Sequence, residues 1–129
     1  MLRVPDVAKR KTANPFLGRW QIVSMTEWDE DYLNEEVVAY IEFSADGLGS
    51  FQFGYVQGAI DHRIIERDGK PAVEFSWEGG DGADGTPLTG RGWAVLEDNE
   101  LSGMIFIHLG DESGFVARHA GKNRGRKGH

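Results

Sequence analysis

The feature that most constrains the fold of this chain is an alternation of apolar and polar residues with a period of two, which dominates from residue 16 onward. In the run Tyr-Ile-Glu-Phe, Ile41 and Phe43 share one face, and Phe51 and Phe53 do the same in the next run. Successive side chains of a β-strand point to opposite faces. The pattern therefore predicts strands with one face in a core, rather than helices.

Short turn signals separate these runs. The pairs Asp46-Gly47, Asp68-Gly69 and Asp98-Asn99 accept the positive φ that tight hairpins require. The breaks leave eight predicted strands, over residues 17–28, 38–44, 48–55, 58–67, 71–78, 90–97, 100–109 and 114–119. Short connections imply antiparallel neighbours. We therefore predict an all-β fold, an antiparallel eight-stranded up-and-down barrel without exposed sheet edges.

The segment between the first two predicted strands has a different pattern. It begins with acidic residues, and Tyr32, Leu33 and Val37 follow at helical spacing. Acidic residues stabilise the first turn of a helix. The pattern predicts a short helix within 29–37, between strands 1 and 2, lying across one end of the barrel.

Length and charge limit the domain organisation and the partners. A chain of 129 residues without cysteine forms one domain held together by packing, with no disulfide and no thiolate chemistry. The formal net charge is −7, but residues 1–15 and 120–129 are basic, which leaves 16–119 at −14. We expect disordered basic tails at 1–15 and 120–129, a barrel domain at 16–119, no specific nucleic-acid binding, no membrane span and a cytoplasmic location.

A glycine-rich stretch between Trp77 and Trp93 contains Gly80, Gly82 and Gly85 in the spacing G-x-G-x-x-G. A dinucleotide fingerprint needs a helix after the last glycine, and the residues Thr-Pro-Leu-Thr-Gly-Arg-Gly that follow cannot form one. Two aspartates also lie where phosphate would bind. We therefore predict a long, mobile hairpin connection over 79–90 at the barrel rim.

Two histidines and a row of acids are the other candidates for chemistry. His62 shares the face of Ile60, and His108 follows Phe106 on the seventh strand. Two inward histidines could bind zinc or a haem iron; the alternative is a structural role for each. The acids Glu42, Asp61, Glu74 and Glu78 fall on the polar face of their strands. If the aromatic face is interior, the polar face is exposed to solvent. If the polar face is interior, these acids line a polar cavity.

Gly18-Arg19-Trp20 in the first strand and Arg118 in the last resemble the G-x-W and late-arginine signature of the lipocalin and calycin superfamily. The resemblance implies that Trp20 closes one barrel end with Arg118 packed over it. The longer run from Tyr40 to Phe115 also resembles a set of small bacterial proteins with no assigned activity, which implies a bacterial, cytoplasmic origin.

We predict from these features a binding protein without catalytic residues, metal or cofactor, which takes a small, partly apolar molecule into its interior. The residues expected to line or rim the site are Tyr55, His62, Trp77, Arg91 and Trp93. An eight-stranded barrel is either filled by side chains or holds one small ligand. The alternative is therefore a filled barrel that acts as a protein-interaction module.

The seventh strand is apolar on both sides, so a loop, a tail or a second subunit in a homodimer would cover it. A haem, metal or enzyme site built on His62 and His108 is the third possibility.

Overall fold

The computed structural model describes residues 14–120, which form a closed barrel of eight antiparallel strands in sequential order. This confirms the predicted fold, including one short helix between the first two strands. The elements are β1 Gly18–Met25, α1 Glu30–Leu33, β2 Tyr40–Phe43, β3 Leu48–Phe53, β4 Val56–Arg67, β5 Lys70–Asp81, β6 Thr86–Glu97, β7 Glu100–Ile107 and β8 Glu112–His119.

The predicted hairpin turns lie where the sequence placed them. Asp68 and Gly69 both have positive φ at the β4–β5 turn, and Asp98 and Asn99 do at the β6–β7 turn. Positive φ at both central residues gives a twist that matches the right-handed twist of the flanking strands. These turns fix the register of the hairpins, which pair through Arg67↔Lys70 and Glu97↔Glu100.

The glycine-rich stretch is mostly strand, so the prediction of a long connection over 79–90 is wrong. β5 continues to Asp81 and β6 begins at Thr86, with the pairs Gly79↔Leu88, Gly80↔Pro87 and Asp81↔Thr86 in the ladder. Only residues 82–85 form the turn. These glycines lack side chains but keep the backbone N–H and C=O groups that pair with neighbouring strands. They therefore form strand although their sequence suggests a loop.

The barrel interior is apolar and aromatic. The largest fully buried side chains are Trp20, Phe16, Phe43, Phe51 and Phe53. On β4 the even-numbered positions from Val56 to His62 are buried and the odd-numbered ones are exposed. The aromatic face is therefore the inner one, and the alternative of a polar cavity lined by the strand acids is wrong.

One barrel end is closed by the segment before β1. Phe16 is fully buried there and packs edge-on against Phe43, and its carbonyl accepts a hydrogen bond of 2.9 Å from Trp20 Nε1. Trp20 is buried, as predicted. The predicted packing of Arg118 over it is wrong, because Arg118 faces outward and pairs with Glu100 at 2.9 Å, while the ring of His119 stacks on Trp20.

The opposite end is covered by α1 and the residues around it. Asp29 caps the helix by accepting a hydrogen bond from the backbone N–H of Tyr32, and Leu33 is buried. The Tyr32 ring covers Gly54, whose φ is +59° and where a Cβ would lie 2.2 Å from that ring. Glycine is therefore required at this turn for two reasons, its left-handed backbone and the close approach of the ring.

The predicted tails at 1–15 and 120–129 lie almost entirely outside the described residues; of them, Asn14, Pro15 and Ala120 are described. Asn14 is ordered through its side chain, which accepts a 2.8 Å hydrogen bond from the Phe16 backbone N–H. The helix of the described chain spans four residues and is too short to cross a membrane.

Candidate functional site

Aromatic rings fill the centre of the barrel. Phe51 meets Trp77 edge-to-face with ring centroids 4.9 Å apart, and it stacks on Phe53 at 5.7 Å. Phe43 contacts Phe75 at 6.1 Å in a second edge-to-face pair. Such arrangements are the preferred geometries of aromatic pairs. These contacts pack the buried rings of β2, β3 and β5 against one another.

Two inward-facing glycines of β6 lie directly against these rings. A Cβ at Gly90 would lie 2.7 Å from Trp77 Nε1, and a Cβ at Gly92 would lie 2.4 Å from the edge of the Phe75 ring. Large side chains on β5 thus occupy the space that side chains at Gly90 and Gly92 of β6 would need. This complementarity is the packing of a filled barrel, in which a one-carbon addition already forces a shift.

His62 is buried on the inner face of β4, as predicted. Its Nε2 lies 3.3 Å from Asn14 Nδ2 and its ring packs on Phe43 with centroids 4.9 Å apart, while Nδ1 has no hydrogen-bond partner among residues 14–120. Burial lowers the pKa of His62, and the Leu48 carbonyl and two nearby aspartates oppose that shift. Burial among aromatic rings at the closed end therefore favours the neutral form of His62.

Trp77 also faces inward, as predicted, and its Nε1 is buried with no hydrogen-bond partner in the part of the chain that the structure describes. Tyr55 does not line the interior. It occupies the β3–β4 turn at the α1 end, half-buried, where its backbone N–H donates to Tyr32 Oη at 3.3 Å. The carboxylate of Glu35, followed by burial, raises the pKa of Tyr55. Tyr55 therefore belongs to the end cover.

Arg91 and Trp93, which were predicted to line or rim an interior site, do not line the interior, because both face outward. Trp93 pairs across the sheet with Glu74 and Arg91 with Ser76, while Gly92 and Ala94 between and beside them are buried. The structure therefore divides the five predicted site residues among three places: the interior, the α1 end and the outer surface.

On the outer surface of β4–β7, two arginines lie over aromatic rings, as Arg19 does over Tyr40 on β1 and β2. The guanidinium carbon of Arg67 is 4.0 Å from the centroid of the Trp93 ring, and that of Arg91 is 5.1 Å from the centroid of Phe106. These distances are within the range of cation–π attraction. We call Arg67, Arg91, Trp93 and Phe106 the arginine–aromatic face.

Neither arginine of this face has a carboxylate partner within residues 14–120. The ion pairs of the described chain involve other basic residues: Arg19 with Glu42, Arg63 with Glu74, Lys70 with Glu97 and Arg118 with Glu100. Arg67 and Arg91 are both exposed. Both guanidinium groups therefore lie over aromatic rings at the surface and have no ion pair within residues 14–120.

Two adjoining hollows make a groove along this face. One, of about 580 Å³, lies beside Arg67 and Trp93, and the other, of about 930 Å³, extends toward Glu78 and His108. They share one cross-strand row, Asp61, Ser76, Arg91 and Phe106. Since the hollows follow one another along the strands, the groove runs parallel to β4–β7.

The residues proposed for metal or acid–base chemistry do not converge. His108 lies in the turn after β7 and is exposed, so the alternative of two inward histidines that bind one metal or haem is wrong. Within residues 14–120, no group of three His, Cys, Asp or Glu side chains is arranged to hold a metal ion. The strand acids are on the outer face, where Glu42 and Glu74 are occupied by ion pairs.

Sequence reasoning missed Arg67 and Phe106 as members of a site and assigned Arg91 and Trp93 to the wrong side. A signal was present in the run Gly-Arg-Gly-Trp-Ala over 90–94, where small residues alternate with large ones. Small residues on one face of a strand indicate close contact with bulky neighbours. That alternation would have assigned the large residues to the outer face.

The structure is a closed β-barrel with an apolar, aromatic interior and an arginine–aromatic face on its outer surface. Comparisons with protein-family models, with curated protein sequences and with solved structures found no match. The resemblance to lipocalins therefore stays a prediction.

Proposed function

We propose that this protein is a non-catalytic protein-interaction module, which binds an acidic segment of a partner protein on its arginine–aromatic face. The observation that carries the proposal is the state of Arg67 and Arg91. Each guanidinium group is held over a ring and has no carboxylate partner within residues 14–120, whereas Arg19, Arg63 and Arg118 are each paired. A partner carboxylate would complete the hydrogen bonding of both groups.

The residue types of this face support a protein partner. Arginine, tryptophan, phenylalanine and methionine are enriched in interface cores, and Trp and Arg are frequent hot spots. Here Trp93 lies beside Met104 across β6 and β7, and Phe106 lies beside Arg91. Because Trp93 and Phe106 are only half-buried, a partner can still cover them.

The packed interior supports an outer site over an interior one. Phe51, Phe75 and Trp77 occupy the centre, and Gly90 and Gly92 admit no further atoms beside their rings. A small apolar ligand in the barrel would have to displace these side chains. This favours the interaction module over the interior-ligand prediction.

A short acidic segment suits the groove better than a nucleic acid does. The formal net charge of the chain is −7. Asp61 and Glu112 are at the two ends of the cross-strand row that contains Arg91 and Phe106, and Glu78 and Asp111 line the hollow beyond that row. A long polyanion would cross this acidic end and be repelled. Two or three carboxylates placed over Arg67 and Arg91 would avoid it.

The test is a titration with an acetylated and amidated peptide of glutamate and serine, followed by tryptophan fluorescence. Trp93 is the half-buried tryptophan at the site, while Trp20 and Trp77 are buried. Saturable binding that weakens as salt is raised is expected. The double variant Arg67→Gln, Arg91→Gln should abolish binding of the peptide, and Trp93→Phe should remove the fluorescence change.

Arg19 offers a matched control. It is exposed, lies 3.8 Å from the centroid of the Tyr40 ring and is on β1, and it differs from Arg67 and Arg91 in being paired with Glu42. Arg19→Gln should leave the affinity unchanged. Equal loss with Arg19→Gln, or no binding by the wild-type protein, would refute the proposed function.

A further inference from the structure

We propose that residues 8–13 of this chain pair with β4 as an additional antiparallel strand, along the part of β4 that extends past the end of β3. This edge is separate from the arginine–aromatic face, so the pairing does not depend on the proposed function. It departs from the expectation that the basic segment 1–15 is disordered, which composition alone supports.

The barrel closes through strands of unequal length, and the edge of β4 that faces β3 is unpaired at one end. The β3 ladder stops at Asp61, and the His62 N–H donates to the Gly47 carbonyl at 2.8 Å, whereas β5 pairs with β4 to its last residue. Alternate residues of a strand direct their backbone groups to the same neighbour. The N–H and C=O groups of Ile64 and Glu66 therefore face the same side as the His62 N–H, and they have no partner there within residues 14–120.

An apolar side chain is exposed beside these backbone groups. Ile64 continues the inward face of β4 after Ile60 and His62, but it is 44% exposed because the wall on the β3 side has ended. Unpaired backbone groups at a sheet edge are a template for another strand. A strand added here would complete the hydrogen bonds of Ile64 and Glu66 and cover the isoleucine.

The chain itself reaches this edge at Asn14. The Asn14 side chain contacts His62, with Nδ2 and Nε2 3.3 Å apart. Ile64 lies two residues further along β4, a distance of roughly 7 Å. Six extended residues span about 20 Å, so residues 8–13 can follow β4 from His62 to its end at Arg67. A segment that runs toward Asn14 is antiparallel to β4, because β4 runs away from that point.

The charges beside the edge suit a basic segment. Arg63 and Arg67 are directed across β5, the first to Glu74 at 2.7 Å and the second over the ring of Trp93. The segment 8–13 reads Ala-Lys-Arg-Lys-Thr-Ala and carries three cations. Three exposed carboxylates at this end of the barrel have no ion pair within residues 14–120: Asp46, Glu66 and Asp68.

Other occupants suit this edge less well. The second basic segment, 121–129, follows β8, whose His119 pairs with Trp20 on β1. β2 and β3 lie between β1 and β4. A strand from a second molecule lacks the attachment at Asn14, which gives residues 8–13 an effective concentration in the millimolar range. The segment that precedes Asn14 is therefore the favoured occupant.

The experiment measures amide hydrogen exchange at Ile64 and Glu66 by NMR in the full chain. The variant Lys11→Pro, Thr12→Pro blocks the added strand in either register, because one of two neighbouring residues always directs its N–H toward β4 and proline has none. Exchange at both amides should be about five- to tenfold slower in the wild type than in this variant, as expected for one hydrogen bond. Lys11→Ala, Thr12→Ala removes the same side chains and should keep the slow exchange.

Three results would overturn the pairing. The first is exchange in the wild type as fast as in the proline variant, which means that the edge stays unpaired. The second is slow exchange that persists in the proline variant and depends on protein concentration, which assigns the edge to a second copy. The third is slow exchange that persists in the proline variant at every concentration, which assigns the edge to another part of the chain; deletion of 121–129 then shows whether that part is the C-terminal segment.

Discussion

Trp20 and His119 stack with their ring centroids 3.7 Å apart and their planes 23° from parallel. They are cross-strand partners in the β1–β8 pair that closes the barrel. Trp20 also donates to the Phe16 carbonyl at 2.9 Å, so its indole joins the entering segment, the first strand and the last strand. The closed end therefore depends on Trp20 and its neighbours and not on Arg118.

Replacing this tryptophan tests that assignment. Trp20→Ala should lower the free energy of unfolding by about 3–5 kcal/mol, because it leaves a cavity among buried side chains. Arg118→Ala is the control and should cost about 0–1 kcal/mol, since its ion pair with Glu100 is exposed. Urea denaturation measures both. Similar losses for the two variants would contradict the closure described here.

The fit of Phe75 against Gly92 gives a second prediction. A Cβ at Gly92 would lie 2.4 Å from the Phe75 ring and 2.6 Å from the Met104 carbonyl oxygen. Gly92→Ala should therefore destabilise the fold by about 1–3 kcal/mol through overpacking.

Gly82 is the matched control for this change. Its nearest atom to an added Cβ is the Tyr55 carbonyl oxygen at 3.4 Å, and its φ is not positive. Gly82→Ala should alter the free energy of unfolding by less than about 0.5 kcal/mol. If thermal melting shows Gly92→Ala to be equally neutral, the interior is looser than a filled barrel.

The barrel, the strand order and the tight turns could be predicted from sequence because each depends on local signals. Apolar and polar residues that alternate with a period of two, together with an Asp-Gly or Asp-Asn pair between the runs, are almost sufficient to predict a hairpin. His62 and Trp77 were placed inward correctly for the same reason, since each continues the alternation of its own strand. Local pattern was sufficient wherever a strand had a clearly apolar face.

The errors arose where the face of a residue depends on a neighbouring strand. Arg118 and His119 are neighbours in sequence, and neighbouring residues of a strand have their side chains on opposite faces of the sheet. Between Ile22 and Ser24 the β1–β8 pairing shifts register, which no local pattern in either strand reveals. Gly79 and Gly80 resemble a loop in isolation and become strand through pairing with Gly58 and Gln57.

The β5–β6 turn gives a third prediction. Replacing residues 82–85 with Asn-Gly should keep the thermal midpoint close to that of the wild type, because the pair Asp81↔Thr86 can be closed by a two-residue turn. Replacing 79–88 should lower it clearly, because that change also removes three ladder pairs, from Gly79↔Leu88 to Asp81↔Thr86. Equal midpoints would mean that these strand ends contribute nothing to the barrel.

The final prediction concerns His62 and pH. Burial lowers its pKa below the ordinary value, although the Leu48 carbonyl and the carboxylates of Asp61 and Asp46 act in the opposite direction. The unfolded chain therefore binds the proton more readily than the folded one does. The stability that neutral His62 provides is present above its unfolded pKa of about 6.5 and is lost progressively as the pH falls below that value.

His62→Gln removes this titration while keeping a polar side chain beside Asn14. Urea denaturation of both proteins between pH 7.5 and pH 5 should show the free energy of unfolding of the wild type falling more steeply toward acid. The difference between the two curves isolates His62, because carboxylates such as Asp84, whose pKa is lowered by hydrogen bonds from Thr86, titrate alike in both proteins. Parallel curves would mean that the His62 ring accepts a proton without cost in the folded barrel. That result would contradict its placement among Phe43 and the other rings of the closed end.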